Sequence, residues 1–116
     1  MSDNERLQSY ITELRRGSLI LAVLGSLKGT HYGYSLLRQL QERGLDIEAN
    51  TLYPLMRRLE QQGLLTSSWD TSESRPRKYY TISSDGSKLL SELLCEWDRL
   101  ERQIAAICLR EDNNNG

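Results

Sequence analysis

The sequence predicts a mainly α-helical protein with a small β-hairpin and a long C-terminal helix. Three observations lead to this fold class. Apolar residues recur at steps of three and four through most of the chain, which is the spacing of one helix face. Two short segments rich in β-forming residues flank a polar stretch at residues 71–77. Past residue 84 the apolar residues follow a heptad repeat, which is typical of a helix that packs against another helix.

Length and composition limit the classes of function. The 116 residues suffice for one domain, or for one domain with an appended helix. Charged residues make up 27% and apolar residues 38%, as in ordinary globular proteins. No apolar run approaches the roughly 18 residues of a membrane span, and the polar N-terminus does not resemble a signal peptide. We therefore expect a cytoplasmic protein with no membrane partner.

The N-terminal part of the chain contains two helical segments separated by a turn. An apolar stripe over residues 5–28 predicts the first segment, and Gly17 interrupts this stripe, which indicates a bend. After a turn at residues 30–33, a second helix is expected over residues 34–43, with Gly44 as its stop.

A third helix is predicted over residues 49–62, with an apolar stripe on one face and Gly63 as its stop. Proline lacks the N–H that a helix interior requires, so we expect Pro54 to lie in the first turn or close to it. Because few residues join the second and third helices, the pair fits a helix-turn-helix motif.

The next segment is a β-hairpin, and the last is a long helix. Strands are predicted at residues 64–70 and 78–83, with an exposed loop between them. Ser84 or Asp85 is expected to cap the final helix, which runs to about Arg110. Its apolar residues step alternately by three and four, and we expect them to form a homodimer interface: Leu90, Leu93, Trp97, Leu100, Ile104 and Ile107.

Three helices followed by a β-hairpin is the element order of a winged helix-turn-helix domain. We expect this DNA-binding domain over residues 1–83, a dimerisation helix over residues 84–110, and a disordered tail over residues 111–116.

Catalytic and metal-binding residues are scarce in the sequence. His31 is the single histidine, and it stands beside turn residues with no nucleophile or carboxylate motif around it. Cys95 and Cys108 together with His31 cannot complete a tetrahedral zinc site without carboxylates or a second chain. We expect no enzyme activity, no metal and no cofactor.

The third helix carries residues suited to reading DNA near its N-terminus. Asn50 can bond adenine through two hydrogen bonds, and Thr51 offers thymine a hydroxyl and a methyl group. Tyr53 and Arg57 share one face of the helix. Under the alternative interpretation, Asn50 and Thr51 only cap the helix, and the arginines pair with Glu60 or face solvent.

The hairpin loop ends in three cations within four positions, Arg75, Arg77 and Lys78. A basic wing of this kind can contact DNA phosphates or enter the minor groove. The alternative is a solvated loop with Glu73 as a counter-ion. Of the tyrosines near these segments, we expect Tyr34 and Tyr53 to face phosphates.

Taken alone, the net charge of −1 argues against a nucleic-acid partner. Its distribution removes this objection. Residues 83–116 carry four basic and seven acidic side chains, a balance of −3, and residues 1–82 carry eleven basic and nine acidic side chains, a balance of +2. The excess of acidic residues therefore lies on the last helix and tail, away from the predicted DNA-binding segments.

Trp97 interrupts the heptad row with a bulky ring, and Glu101 lies four residues further on the same face. An aromatic ring beside a carboxylate suits a planar or cationic small molecule bound between two subunits. The alternative is that Trp97 is an ordinary core residue.

Four sequence motifs resemble those of the PadR family of bacterial transcriptional regulators. They are GSLILAVLGSLKG at 17–29, YGYSLLRQL at 32–40, TLYPLMRRLEQQGLL at 51–65 and RPRKYYTISSDG at 75–86. A short chain with one C-terminal helix is similar to the compact PadR subfamily, which includes multidrug-responsive repressors. The resemblance implies a homodimeric repressor in which the last helix crosses to the partner, and Trp97 and Glu101 match the positions of its drug-binding pore.

We therefore expect a homodimeric repressor that binds a pseudo-palindromic operator in double-stranded DNA and responds to a small-molecule effector. The alternative is a winged-helix module that binds another protein and does not contact DNA directly.

Overall fold

A computed structural model of the protein describes residues 2–109. The mainly helical class with a small antiparallel sheet is confirmed. In chain order the elements are α1 (Asp3–Arg15), α2 (Ser18–Ser26), β1 (His31–Tyr32), α3 (Gly33–Glu42), α4 (Ala49–Gln61), β2 (Leu65–Asp70), β3 (Arg77–Ile82) and α5 (Ser84–Cys108). The tail expected at residues 111–116 lies outside the described residues.

The bend predicted at Gly17 is a complete break between two helices. A capping box starts α1, in which the Ser2 hydroxyl and the Glu5 carboxylate each accept a hydrogen bond from the other residue's backbone N–H. None of the residues of α1 is buried. In contrast, α2 buries Val23 and Leu24.

α3 and α4 form the helix-turn-helix pair. Each helix begins and ends within one residue of its predicted position. Gly44 and Gly63, which follow these helices, have φ angles of +95° and +79°, in the left-handed region that favours glycine. Pro54 lies slightly deeper in the helix than the first turn. It is the sixth residue of α4, past the first turn, and it lies on the exposed face of the helix.

The sheet has three strands in the order β1-β3-β2. The predicted hairpin is present, with Leu65 opposite Ile82 and Asp70 opposite Arg77. The third strand, β1, lies where we predicted only a turn. Its two residues pair with β3, so that His31 is opposite Tyr80 and Tyr32 is opposite Tyr79.

The core combines buried apolar side chains from α2 and its C-cap, α3, the loop before α4, α4, β2 and the first turns of α5. It consists of Val23, Leu24, Leu27, Leu36, Leu37, Leu40, Ile47, Leu52, Met56, Leu59, Leu65 and Leu90. Leu90 corrects the predicted dimer row. Its side chain is 3% exposed because it packs into the core of its own chain.

The start of α5 is fixed tightly to the domain. Ser83, and not the predicted Ser84 or Asp85, is the N-cap residue, because β3 leads directly into the helix. The Ser83 hydroxyl accepts a hydrogen bond from the Gly86 N–H and donates one to the Gly63 carbonyl. Gly86 is buried, and a Cβ atom there would lie 2.1 Å from the carbonyl oxygen of Leu64.

Beyond Leu90, α5 extends past the core with large apolar side chains exposed on it. Leu94, Trp97, Leu100, Ile104 and Ile107 are each 46% to 73% exposed. Leu7, Tyr10 and Leu14 of α1 are 55% to 80% exposed. Among residues 2–109, no helix is both long enough and apolar enough to cross a bilayer.

Candidate nucleic-acid interface

A groove of about 790 Å³ separates α4 from the β2–β3 hairpin, which we call the wing. Six of the eight predicted DNA-binding residues line it: Tyr34, Tyr53, Arg57, Arg75, Arg77 and Lys78. Tyr32, Gly33, Met56, Trp69 and Tyr80 complete the lining. The groove therefore brings together side chains that are up to 48 positions apart in the sequence (Tyr32 to Tyr80).

The two remaining predicted residues lie elsewhere on α4. Because Leu52, Met56 and Leu59 face the core, the opposite side of the helix is an exposed ridge. The ridge consists of Asn50, Pro54, Arg57, Arg58 and Gln61. Thr51 lies on the flank of α4 that faces α2. Neither Asn50 nor Thr51 is the N-cap residue, which is Glu48.

Lys78 is held by an ion pair in the groove. Its Nζ atom lies 3.1 Å from Oε1 of Glu60, and the Ser67 hydroxyl donates a hydrogen bond to the other carboxylate oxygen. The hydrogen bond from Ser67, and then that from Lys78, lowers the pKa of Glu60. The hydrogen bond to Glu60 raises the pKa of Lys78. Much of the charge of Lys78, a predicted DNA-binding cation, is therefore already balanced within the protein.

Arg77 lies over an aromatic pair formed by Tyr32, which also lines the groove, and Tyr79. Its guanidinium carbon is 4.9 Å from the centroid of the Tyr32 ring, and that ring stacks on Tyr79 at 4.2 Å. The Tyr79 hydroxyl donates to Asp70 over 3.2 Å and is hydrogen-bonded to the Tyr32 hydroxyl. The hydrogen bond with Tyr32, together with partial burial and the Asp70 charge, raises the pKa of Tyr79 to about 12. This network restrains Arg77 at the groove.

The ion pairs divide the cations of the groove into two kinds. Arg77 approaches Glu73 to 3.8 Å in an exposed pair, which partly supports the counter-ion alternative. Arg57 and Arg75 form no ion pair with any residue in the range 2–109. These two arginines therefore offer the groove its least compensated positive charge.

Two residues at the groove were missing from the sequence-based prediction. Trp69 lines the groove and is 63% exposed. The sequence does contain a signal for Trp69. Leu65, Ser67 and Trp69 are every second residue of β2, so their side chains share the sheet face that meets α4. Arg38 donates a hydrogen bond of 3.1 Å to the Tyr34 hydroxyl, one helical turn away, and thereby restrains that exposed ring.

The predicted effector residues lie on the exposed part of α5. Trp97 is 47% exposed and Glu101 is also exposed. Trp97 is therefore no core residue of its own chain. Within residues 2–109, no group of three or more His, Cys, Asp and Glu side chains is placed to hold a metal ion. His31 is hydrogen-bonded to Ser35 at 3.1 Å, which ties β1 to α3.

Comparison with known proteins identifies the family. Residues 20–92 match the transcriptional regulator PadR-like family. The crystal structure of a PadR family regulator from Eggerthella lenta is 44% identical, with a TM-score of 0.89, over 93% of this chain and 96% of that one. A transcriptional regulator from Mycobacterium tuberculosis is 29% identical over 79% of this chain and 87% of the relative.

A third relative was solved with DNA. The structure of Bacillus subtilis PadR in complex with operator DNA is 26% identical, with a TM-score of 0.60. The match covers 66% of this chain and 45% of that one. The resemblance noted in the sequence is confirmed, and members of this family are regulators and not enzymes. With its groove between α4 and the wing, and with the family match over most of the folded domain, this chain belongs to the PadR-like family of transcriptional regulators.

Proposed function

We propose that this protein is a homodimeric repressor that binds a pseudo-palindromic operator. The observation that carries the proposal is the groove itself, in which α4 and the wing bring four cations and four tyrosines to one surface. The operator complex of the Bacillus subtilis relative supports a DNA partner for the same fold.

In the proposed complex, the exposed ridge of α4 enters the major groove. Asn50 and Arg57 carry the side-chain types that bond adenine and guanine edges. Arg75 and Arg77 lie across the groove on the wing, where they contact phosphates and fix the orientation of the domain. Tyr34 and Tyr53 donate hydrogen bonds to phosphate oxygens from between these cations.

The homodimer is proposed from the apolar row on α5. Leu93 is half-buried, and Trp97, Leu100, Ile104 and Ile107 are exposed along one helix face. A second copy of the chain covers such a row by packing in heptad register. A two-fold axis then places the two α4 helices in successive major grooves, about 34 Å apart.

The test of DNA binding begins with fragments selected from the source genome. We expect the dimer to retard a selected fragment at 50 mM salt, and we expect affinity to fall steeply as salt rises. Trp69 supplies an internal probe, since DNA in the groove would change its fluorescence, and a Trp97→Phe variant removes the second tryptophan. A folded dimer that binds no fragment would instead favour the protein-interaction module.

An effector site is proposed at Trp97 and Glu101, where a dimer would bring two indole rings and two carboxylates together. Planar aromatic cations suit this chemistry. We expect such compounds to quench Trp97 fluorescence in a Trp69→Phe protein and to weaken operator binding. No response across a broad panel would show that Trp97 is only a packing residue of the dimer.

Since a regulator acts where its DNA lies, the compartment that we propose is the cytoplasm.

A further inference from the structure

A second concave surface lies on the other side of α4. It has a volume of about 470 Å³, and its rim is formed by Arg16, Thr51, Pro54 and Arg58. Leu19, Ile20 and Leu55 form its base. We call this surface the α2 flank of α4, because the start of α2 forms its other wall.

The charge of the α2 flank is positive. Its lining includes two arginines and no carboxylate. Arg58 is exposed and makes no ion pair with any described residue. Arg16 approaches Glu13 to 3.7 Å, but both side chains are about 70% exposed, so water and salt screen this pair. Arg16 and Thr51 also line the adjoining concavity together with Arg15, and there Asp46 and Glu48 give a more balanced charge.

The helix geometry separates two consecutive arginines. Successive residues of an α-helix are rotated by about 100°. Arg57 therefore faces the wing groove, whereas Arg58 faces the α2 flank. The two arginines thus form the two edges of the exposed ridge. The structure thus has uncompensated positive charge on both sides of its reading helix.

DNA offers a matching arrangement. A helix with its side chains is about 10–12 Å wide, and the major groove is about 12 Å wide, so a helix lying in the groove has a phosphate backbone on each side. The wing reaches one of these two backbones. The α2 flank faces the other.

We propose that Arg16 and Arg58 form a second phosphate-binding surface, which contacts the backbone across the major groove from the one that the wing contacts. This inference rests on the proposed DNA-binding function. It assigns a role to the break between α1 and α2, because that break places Arg16 beside α4.

The experiment measures the salt dependence of binding for Arg16→Gln, Arg58→Gln and the double variant. The DNA is a selected operator fragment and, in parallel, a random-sequence duplex of the same length. Each lost phosphate contact should lower the slope of log affinity against log salt by about 0.9. At 0.1 M salt each single variant should therefore bind both duplexes about five- to tenfold more weakly.

Two controls accompany these variants. Arg102→Gln removes a charge from the exposed side of α5, where Arg102 pairs with Asp98 at 3.1 Å, and it should leave slope and affinity unchanged. Arg16→Lys and Arg58→Lys keep the charge and should retain most of the slope. Equal thermal unfolding midpoints would show that all variants keep the fold.

Three outcomes would overturn the inference. If the wild-type protein binds DNA but the double variant keeps the wild-type slope, the α2 flank makes no phosphate contact and the proposed function stands. If Arg58→Gln weakens only operator binding at an unchanged slope, Arg58 reads a base. If the wild-type protein binds neither duplex, the proposed function fails as well.

Discussion

Glu60 connects three elements through the two oxygens of one carboxylate. It belongs to α4, and it accepts hydrogen bonds from Ser67 on β2 and Lys78 on β3. Its side chain is 29% exposed and that of Lys78 is 30% exposed, so the pair is shielded more than an ordinary surface salt bridge. The wing is thereby held in a fixed position against α4.

This pairing predicts a pH-dependent contribution to stability. Because the folded-state pKa of Glu60 is lowered, the stabilisation is present above its ordinary value of 4.5 and is lost as the pH falls through the folded-state pKa. Glu60→Gln should reduce the free energy of unfolding by about 1 kcal/mol at pH 7, and by less at pH 3. Urea unfolding from pH 3 to 7, at fixed protein concentration, measures the difference.

The matched control is Glu42→Gln, which removes an exposed carboxylate paired with Arg38 at 3.8 Å. It should change the free energy of unfolding little at either pH. A Glu60→Gln effect of the same size at every pH would show that the carboxylate's charge is not what stabilises the fold.

The same ion pair changes the expected role of Lys78 in DNA binding. Removing both partners leaves the net charge unchanged, so Glu60→Gln with Lys78→Gln should bind a random duplex within about twofold of wild type. Arg75→Gln removes an unpaired charge and should lower the salt slope by about 0.9. If the salt slope of the double variant falls by as much as that of Arg75→Gln, Lys78 contacts a phosphate despite its pairing with Glu60.

Residue types were easier to predict than residue partners. Arg57, Arg75 and Tyr53 were predicted from residue type and spacing alone, and the structure brings all three to the groove. The contact between Glu60 and Lys78 spans 18 positions, and it depends on hairpin register and on how the sheet packs against α4. No local pattern encodes that geometry, so the sequence showed both residues without showing that they meet.

At the level of elements, the longer helices and the hairpin were predictable and β1 was not. The bounds of α3 and α4 lie within one residue of prediction, because apolar periodicity and two left-handed glycines mark them. The two residues of β1 carry no period of their own. They become a strand through pairing with β3, some 47 residues later in the chain.

The junction between β3 and α5 gives a sharp steric prediction. A Cβ atom at position 86 would lie 2.1 Å from the Leu64 carbonyl oxygen and 2.8 Å from Cγ1 of Ile82. Since this oxygen belongs to the backbone, the junction must shift, and Gly86→Ala should destabilise the fold by about 3 kcal/mol. Thermal or urea unfolding measures this loss.

Gly25, within α2, has free space where Gly86 has none. Nothing lies within 4 Å of a Cβ atom built at Gly25. Gly25→Ala should therefore stabilise the fold by about 0.5–1 kcal/mol, because alanine favours the helix and restricts the unfolded chain. Equal effects of the two alanine substitutions would contradict the close packing at Gly86.

At the scale of the whole molecule, the proposed dimer can be separated from the fold. Leu100 and Ile104 are 52% and 50% exposed and lie outside the core of the chain. Leu100→Glu and Ile104→Glu should each give a folded monomer, detected by sedimentation equilibrium. Operator affinity should fall more than a hundredfold when one half-site must bind alone, while weak binding to a random duplex remains.

The control is Ser91→Glu, which adds the same charge to α5 away from the exposed apolar row. It should remain a dimer. A Leu100→Glu protein that still sediments as a dimer would place the interface elsewhere, for which the exposed apolar residues of α1 are the next region to test.

The close packing at Gly86 also makes α5 a lever arm. The helix has 25 residues, about 37 Å, and its base cannot rotate against the domain without moving the Leu64 backbone. A tilt of about 5° displaces its far end by about 3 Å. In a dimer, any change in the crossing angle of two such levers would therefore carry each domain as a rigid body. The spacing of the two reading helices would change with no hinge inside either domain.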